Sequence, residues 1–180
     1  MSFYYLMSQL PYFSLSQSSP LPITESYFLE LAERNLNEAQ LKTLKNISLV
    51  PEKKPREIDS SFLTAYYAWE RELRFVLGQI RGQRLKKDFS VPNNLSQSFE
   101  ILSIARTATG FESPLEAEQF LNEQRFLAIK KLQPMDYFSL DSVYAYALQL
   151  KLALRIKQFN EEAGLAEYRS MYDTILGESK

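Results

Sequence analysis

Two absences define the chemistry open to this chain. Its 180 residues include no Cys and no His. That excludes disulfides, thiolate nucleophiles and Cys-ligated metals, and it removes the commonest general base and transition-metal ligand. Acid–base work would fall to carboxylates, Tyr and Lys. Two acidic pairs are close in sequence, Glu116 with Glu118 and Asp136 with Asp141. Glu116 and Glu118 stand two apart on a predicted helix, so their side chains point about 200° apart and cannot flank one sugar ring or share one proton. Glu116 reads instead as a capping residue. Asp136 and Asp141 flank Ser139 beside a predicted helix start, where unpaired N–H groups and the macrodipole favour negative charge. These patterns lead us to expect no enzymatic activity, no metal and no cofactor.

Positive charge is more strongly patterned. Arg71, Arg74 and Arg81 fall on one side of a predicted long helix, and Arg84, Lys86 and Lys87 carry the charge past its end. Cations at a helix C-terminus are favoured by about 0.3–1 kcal/mol each. The same residues form an electrostatic patch able to orient the chain on a polar or acidic protein surface. Gly78 and Gly82 stand four apart on the side away from the apolar seam, and each costs about 1 kcal/mol relative to Ala in a helix. They mark either a fraying end or a close backbone approach. Arg71, Arg74, Gly78, Arg81, Gly82, Arg84, Lys86 and Lys87 are therefore the candidate partner-binding residues.

The elements that must position them are helices. Phe62, Tyr66, Trp69, Leu73, Val76 and Ile80 recur at alternating steps of four and three, the seam of a helix packed lengthwise against others. With Asp59 or Ser60 as cap and an end at Leu85, that helix spans roughly 40 Å. Before it, Thr24 caps a helix to about Arg34 with Tyr27, Phe28 and Leu31 on its buried face. Asn37 and Gln40 form a capping box ahead of Leu41, Leu44 and Ile47, so these two helices read as a hairpin. After a polar loop over Lys86 to Leu95, a helix from Ser96 to Thr107 turns Phe99, Ile101 and Leu102 inward, with Gly110 as breaker.

Ser113, Pro114 and Glu116 supply an N-cap, a proline at the first helical position and a capping-box glutamate for a helix to about Leu132. Ser139 or Asp141 opens the next helix, whose Val143 to Leu154 run is apolar on nearly every side, as in the centre of a bundle. A last helix is expected over Glu162 to Leu176. Pro11, Pro20, Pro22, Pro51, Pro55, Pro92, Pro114 and Pro134 all fall between or at the ends of periodic segments.

The expected fold is all-α, a bundle of about six to seven helices with two long central ones. A single helical domain over 1–180 is expected, divisible into sub-bundles over about 1–95 and 96–180. The apolar fraction of 45% suits a globular protein, and the net charge of −1 gives no basis for gripping nucleic acid. The segment from Met1 to Leu15 is apolar and aromatic, lacks a basic leader and is broken by Pro11. It fits neither a signal peptide nor a membrane span, so a cytoplasmic location without membrane insertion is expected. The aromatics Phe3, Tyr4, Tyr5, Tyr12 and Phe13 crowd this segment and serve either the chain's own core or an interface.

Four stretches occur in order: Phe3-Tyr4-Tyr5-Leu6 with Leu10-Pro11; Trp69-Glu70-Arg71-Glu72-Leu73-Arg74; Pro114-Leu115-Glu116-Ala117-Glu118 with Arg125-Phe126; and Tyr137-Phe138 through Asp141, Val143, Tyr146, Leu150, Lys151, Leu152 and Arg155. Together they resemble a family of bacterial proteins that accompany V/A-type ATPases. That family is similar to the C component of the ATPase central stalk, called the d component in eukaryotic enzymes.

The resemblance implies a non-catalytic adaptor of the rotary motor, set between the membrane ring and the central shaft. Its partners would be other ATPase subunits, and it would be peripheral to the inner membrane through them. The C components are longer and built from three related helical units, whereas this chain has room for about two. The family pattern favours Trp where Phe126 stands and a basic residue where Gln149 stands. The alternative is an assembly factor or freestanding helical adaptor that binds ATPase subunits transiently.

Overall fold

The computed structural model describes residues 3–12, 15, 21–52, 58–85, 98–158 and 171. These form α1 (Tyr4–Gln9), α2 (Glu25–Asn35), α3 (Glu38–Lys45), α4 (Ser61–Arg84), α5 (Phe99–Gly110), α6 (Pro114–Leu132) and α7 (Leu140–Gln158), with no strand among them. The architecture is an all-α bundle. No described helix is long and apolar enough to cross a membrane. Lys86 to Leu95, and the helix expected over Glu162 to Leu176 except for Met171, lie outside the described residues.

Local chemistry sets most helix starts. The Thr24 hydroxyl accepts from the Tyr27 N–H at 3.3 Å, and α2 buries Phe28, Leu31 and Ala32. Tyr27 was expected on that face but is half exposed, because a position one residue before Phe28 is rotated about 100° from it. In α3 the capping box closes in both directions, Gln40 N to Asn37 Oδ1 at 2.9 Å and Asn37 N to Gln40 Oε1 at 3.1 Å. Lys45 then reaches Glu33 across the α2–α3 corner at 2.8 Å.

Ser60, not Asp59, caps α4 by accepting from Leu63 N at 3.1 Å. At α6, Pro114 takes the first helical position and Ser113 accepts from Glu116 N at 3.5 Å. Glu116 itself returns no bond, so the box expected there is half-formed. Ser139 accepts from Ser142 N at 3.2 Å and opens α7.

Two sequence expectations fail at α5. Ile101, Ala105 and Ala108 define its buried face at steps of four and three. Phe99, two residues before Ile101, therefore points to the opposite side and is 84% exposed. Gly110 is the last residue of the helix rather than a breaker beyond it, and Phe111 provides the extended C-cap. Helix α1 was not anticipated. Its six residues are too few for a periodic face, and it is held by the burial of Leu6.

Helix α4 has 24 residues, about 36 Å, and packs against α5, α6 and α7. Two hydrophobic cores lie along it. The larger joins Leu6, Phe28, Leu44, Phe62, Tyr66 and Ile129 to an unbroken buried stretch of α7 from Ser142 to Leu150. The smaller joins Leu73, Val76 and Leu77 to Ile101, Ala105, Ala108 and Leu121. Trp69 packs against both. Each core draws residues from both sides of residue 95.

Candidate partner-binding site

Between the two cores sits a charge that periodicity places among apolar side chains. Glu70 lies seven residues after Leu63, three before Leu73 and seven before Leu77, on the buried stripe of α4, and is 0% exposed. Its carboxylate is paired on both oxygens. Arg74 Nε donates to Oε1 at 2.7 Å, and Arg125 Nε of α6 donates to Oε2 at 3.1 Å. Arg125 Nη1 continues to Asn122 Oδ1 at 3.0 Å and to Glu118 Oε1 at 3.3 Å. Glu118 also accepts from Arg155 Nη2 of α7 at 2.6 Å.

The result is a chain of alternating charge, Arg74, Glu70, Arg125, Glu118 and Arg155, that ties α4, α6 and α7 together. Burial works against the Arg125 charge, but Glu70 and Glu118 outweigh it and hold its guanidinium pKa above the ordinary value. Tyr66, one turn before Glu70, is fully buried and its hydroxyl has no hydrogen-bond partner. Burial, reinforced by Glu70, pushes this phenol up, so it stays neutral. Both Glu70 oxygens accept from guanidinium groups, so the cluster ties α4 to α6 from inside the bundle.

A second feature lies where the N-terminal segment crosses the α6–α7 turn. Phe3 N donates to Phe138 O at 2.8 Å, and the Tyr4 and Phe138 rings meet at 4.9 Å. The Tyr146 hydroxyl donates to Pro11 O at 3.1 Å, and burial pushes its pKa up to about 12. Between segment and turn runs a groove of about 630 Å³ lined by Met7, Tyr12, Lys130, Gln133, Met135 and Gln149, among others. Lys130 Nζ stands 4.6 Å from the Phe126 ring centroid and 5.5 Å from that of Tyr12. Of its lining residues Tyr12, Met135 and Tyr137 are exposed.

The candidate residues read from the sequence are distributed rather than gathered. Arg74 is taken up by Glu70. Arg84 donates to Thr109 O and so covers the C-terminal end of α5. Arg71 is half-buried and lines a separate hollow of about 380 Å³ with Lys42, Asn46 and Tyr67. Its Nε is buried without a hydrogen-bond partner. Arg81 is exposed and Gly78 half-buried. Gly82 is buried, which corrects the outward placement expected for it; it lies in the part of α4 that runs beside α5. Lys86 and Lys87 lie outside the described residues.

The Glu70–Arg125 pair escaped a reading based on neighbouring residues because its members are 55 positions apart. A signal was nevertheless present. Glu70 interrupts the Leu63 to Leu77 stripe, and Arg125 interrupts Leu121 to Ile129, so one opposite charge replaces an apolar residue on each of two helices. Among the described residues no group of three carboxylates converges as metal ligands would. Comparison of the chain with protein-family models, with curated proteins and with solved structures gave no match.

Proposed function

We propose that this chain is a non-catalytic adaptor, similar to the central-stalk C component, of a proton- or sodium-translocating V/A-type ATPase, coupling the central shaft to the membrane ring through protein–protein contacts. One observation carries the proposal. The four stretches in which the chain resembles ATPase-associated proteins are scattered in sequence but meet in two places. Glu70 and Arg74, Glu118 and Arg125, and Arg155 come from three of them and form one charge chain. Phe3 and Tyr4 of the first lie against Phe138 of the last, and Pro11 is bound by Tyr146.

Rigidity is the physical link to function. A part that passes torque must not yield, and close-packed helices cross-linked by charge resist shear. Such an adaptor works in the cytoplasm, peripheral to the membrane through its complex. The test is to purify the ATPase from native membranes and probe for this chain. Stoichiometric presence in an intact, coupled complex is expected. Its absence there, with ATPase subunits still recovered in a pull-down, would favour a transient assembly factor. A pull-down that returns no ATPase subunit would sink both.

A further inference from the structure

The groove beside the N-terminal segment holds a cation without an anion. Among the described residues Lys130 has no carboxylate partner; its ammonium rests on the Phe126 and Tyr12 rings and reaches the Tyr12 hydroxyl only at 3.5 Å. The adjacent Lys131 binds Glu100 at 2.8 Å, and Lys151 on α7 reaches Glu25 at 3.3 Å. None of the described acidic residues lines the groove.

Its other polar groups are neutral. Gln149 is a buried amide within the apolar run of α7, and it donates only a long 3.5 Å bond to Gln133 Oε1. Amides of this kind suit a peptide backbone, which offers both N–H and C=O. Three of the lining residues also present large apolar surface to solvent, Tyr12 at 80% exposure, Tyr137 at 62% and Met135 at 101%. A small ligand would leave that surface uncovered, whereas Tyr and Met are enriched where proteins meet.

We propose that this groove docks a segment of a protein partner that presents one carboxylate between apolar side chains, with the carboxylate set against Lys130. The two rings hold the ammonium in place before binding, which reduces the ordering needed on association. A basic segment is disfavoured by the same charge. The inference goes beyond the ATPase proposal and does not rest on it, since it requires only the groove and its lysine.

The experiment titrates isotope-labelled full-length chain with a blocked hexapeptide in which one Glu sits between Phe and Leu, and with counterparts bearing Gln or Lys at that place. The Glu peptide should shift the side-chain amide signals of Gln133 and Gln149 and bind about three- to fivefold more tightly than the Gln peptide, with the Lys peptide weakest. Lys130→Met should abolish the preference without altering thermal unfolding, and Tyr12→Ala should weaken all three alike. Equal binding of the three peptides, no shift at either glutamine, or a preference that survives Lys130→Met would overturn the proposal. So would a free chain that dimerises with Lys130 cross-linked to an acid of a second copy.

Discussion

The Glu70 carboxylate on α4 and the Arg125 guanidinium on α6 are bonded inside the bundle, at 0% and 4% exposure. Neither charge has water to fall back on if the other is removed. The pair therefore acts less as a source of net stability than as a requirement that both helices keep one register.

Glu70→Leu or Arg125→Met alone should lower stability by up to about 3 kcal/mol, because each leaves a buried charge with one of its two ion-pair partners gone, Arg125 keeping Glu118 or Glu70 keeping Arg74. The double variant should lie within about 2 kcal/mol of the parent, since apolar side chains of similar size then fill the site. Urea unfolding of all four proteins closes the cycle. Additive losses would show that the two residues do not act on each other.

Asp141 connects α7 to the start of α4. Its carboxylate accepts from the Ser60 and Ser61 hydroxyls and from Phe62 N, the last at 3.2 Å. Asp141→Ala should lose about 2 kcal/mol, while Ser61→Ala, at an exposed position, should lose under about 0.5 kcal/mol. Denaturant midpoints at equal m-values check the contrast.

Alkaline pH should destabilise the fold. Burial raises the phenol pKa values of Tyr66, Tyr67, Tyr144 and Tyr146 above the ordinary 10.0, that of Tyr146 to about 12. The unfolded chain then releases these protons first, so stability is complete below the unfolded value and falls as pH rises through the folded ones. Each group contributes a slope of about 1.4 kcal/mol per pH unit in that window. Tyr146→Phe should flatten the curve by about one group between pH 10 and 12 when unfolding is followed together with phenolate absorbance.

On α4 the basic residues should separate by variant. Arg84→Ala removes the bond to Thr109 O and should lower stability by about 1 kcal/mol. Arg81→Ala, at an exposed site, should change it by less than about 0.5 kcal/mol. Calorimetry gives both values. A partner-binding defect confined to Arg81 would report a contact, and one confined to Arg84 a disturbed α4–α5 junction.

How much of this was legible depended on distance along the chain. The caps at Thr24, Asn37, Ser60 and Ser113 involve residues three apart, and the structure forms each of those bonds. The α4 seam and the buried centre of α7 were equally plain, because their period repeats several times. Phe99 is apolar but out of phase with the Ile101, Ala105 and Ala108 face, and α1 completes too few turns to show a period. The charge chain was the hardest to see. Apart from the Glu70–Arg74 pair within α4 and the Glu118–Arg125 pair within α6, its links cross between helices, and the interrupted apolar stripes at Glu70 and Arg125 mark two buried charges without showing that they meet.

Helix α4 belongs to both cores, and Trp69 is in contact with each. The two cores are therefore joined through one helix and one shared side chain. Loosening the Leu73 to Leu77 region removes the support under Phe62 and Tyr66, and the reverse holds as well. Amide protons on α4, α6 and α7 should accordingly exchange through one shared opening event, so that a ligand gripping either end would quiet them all.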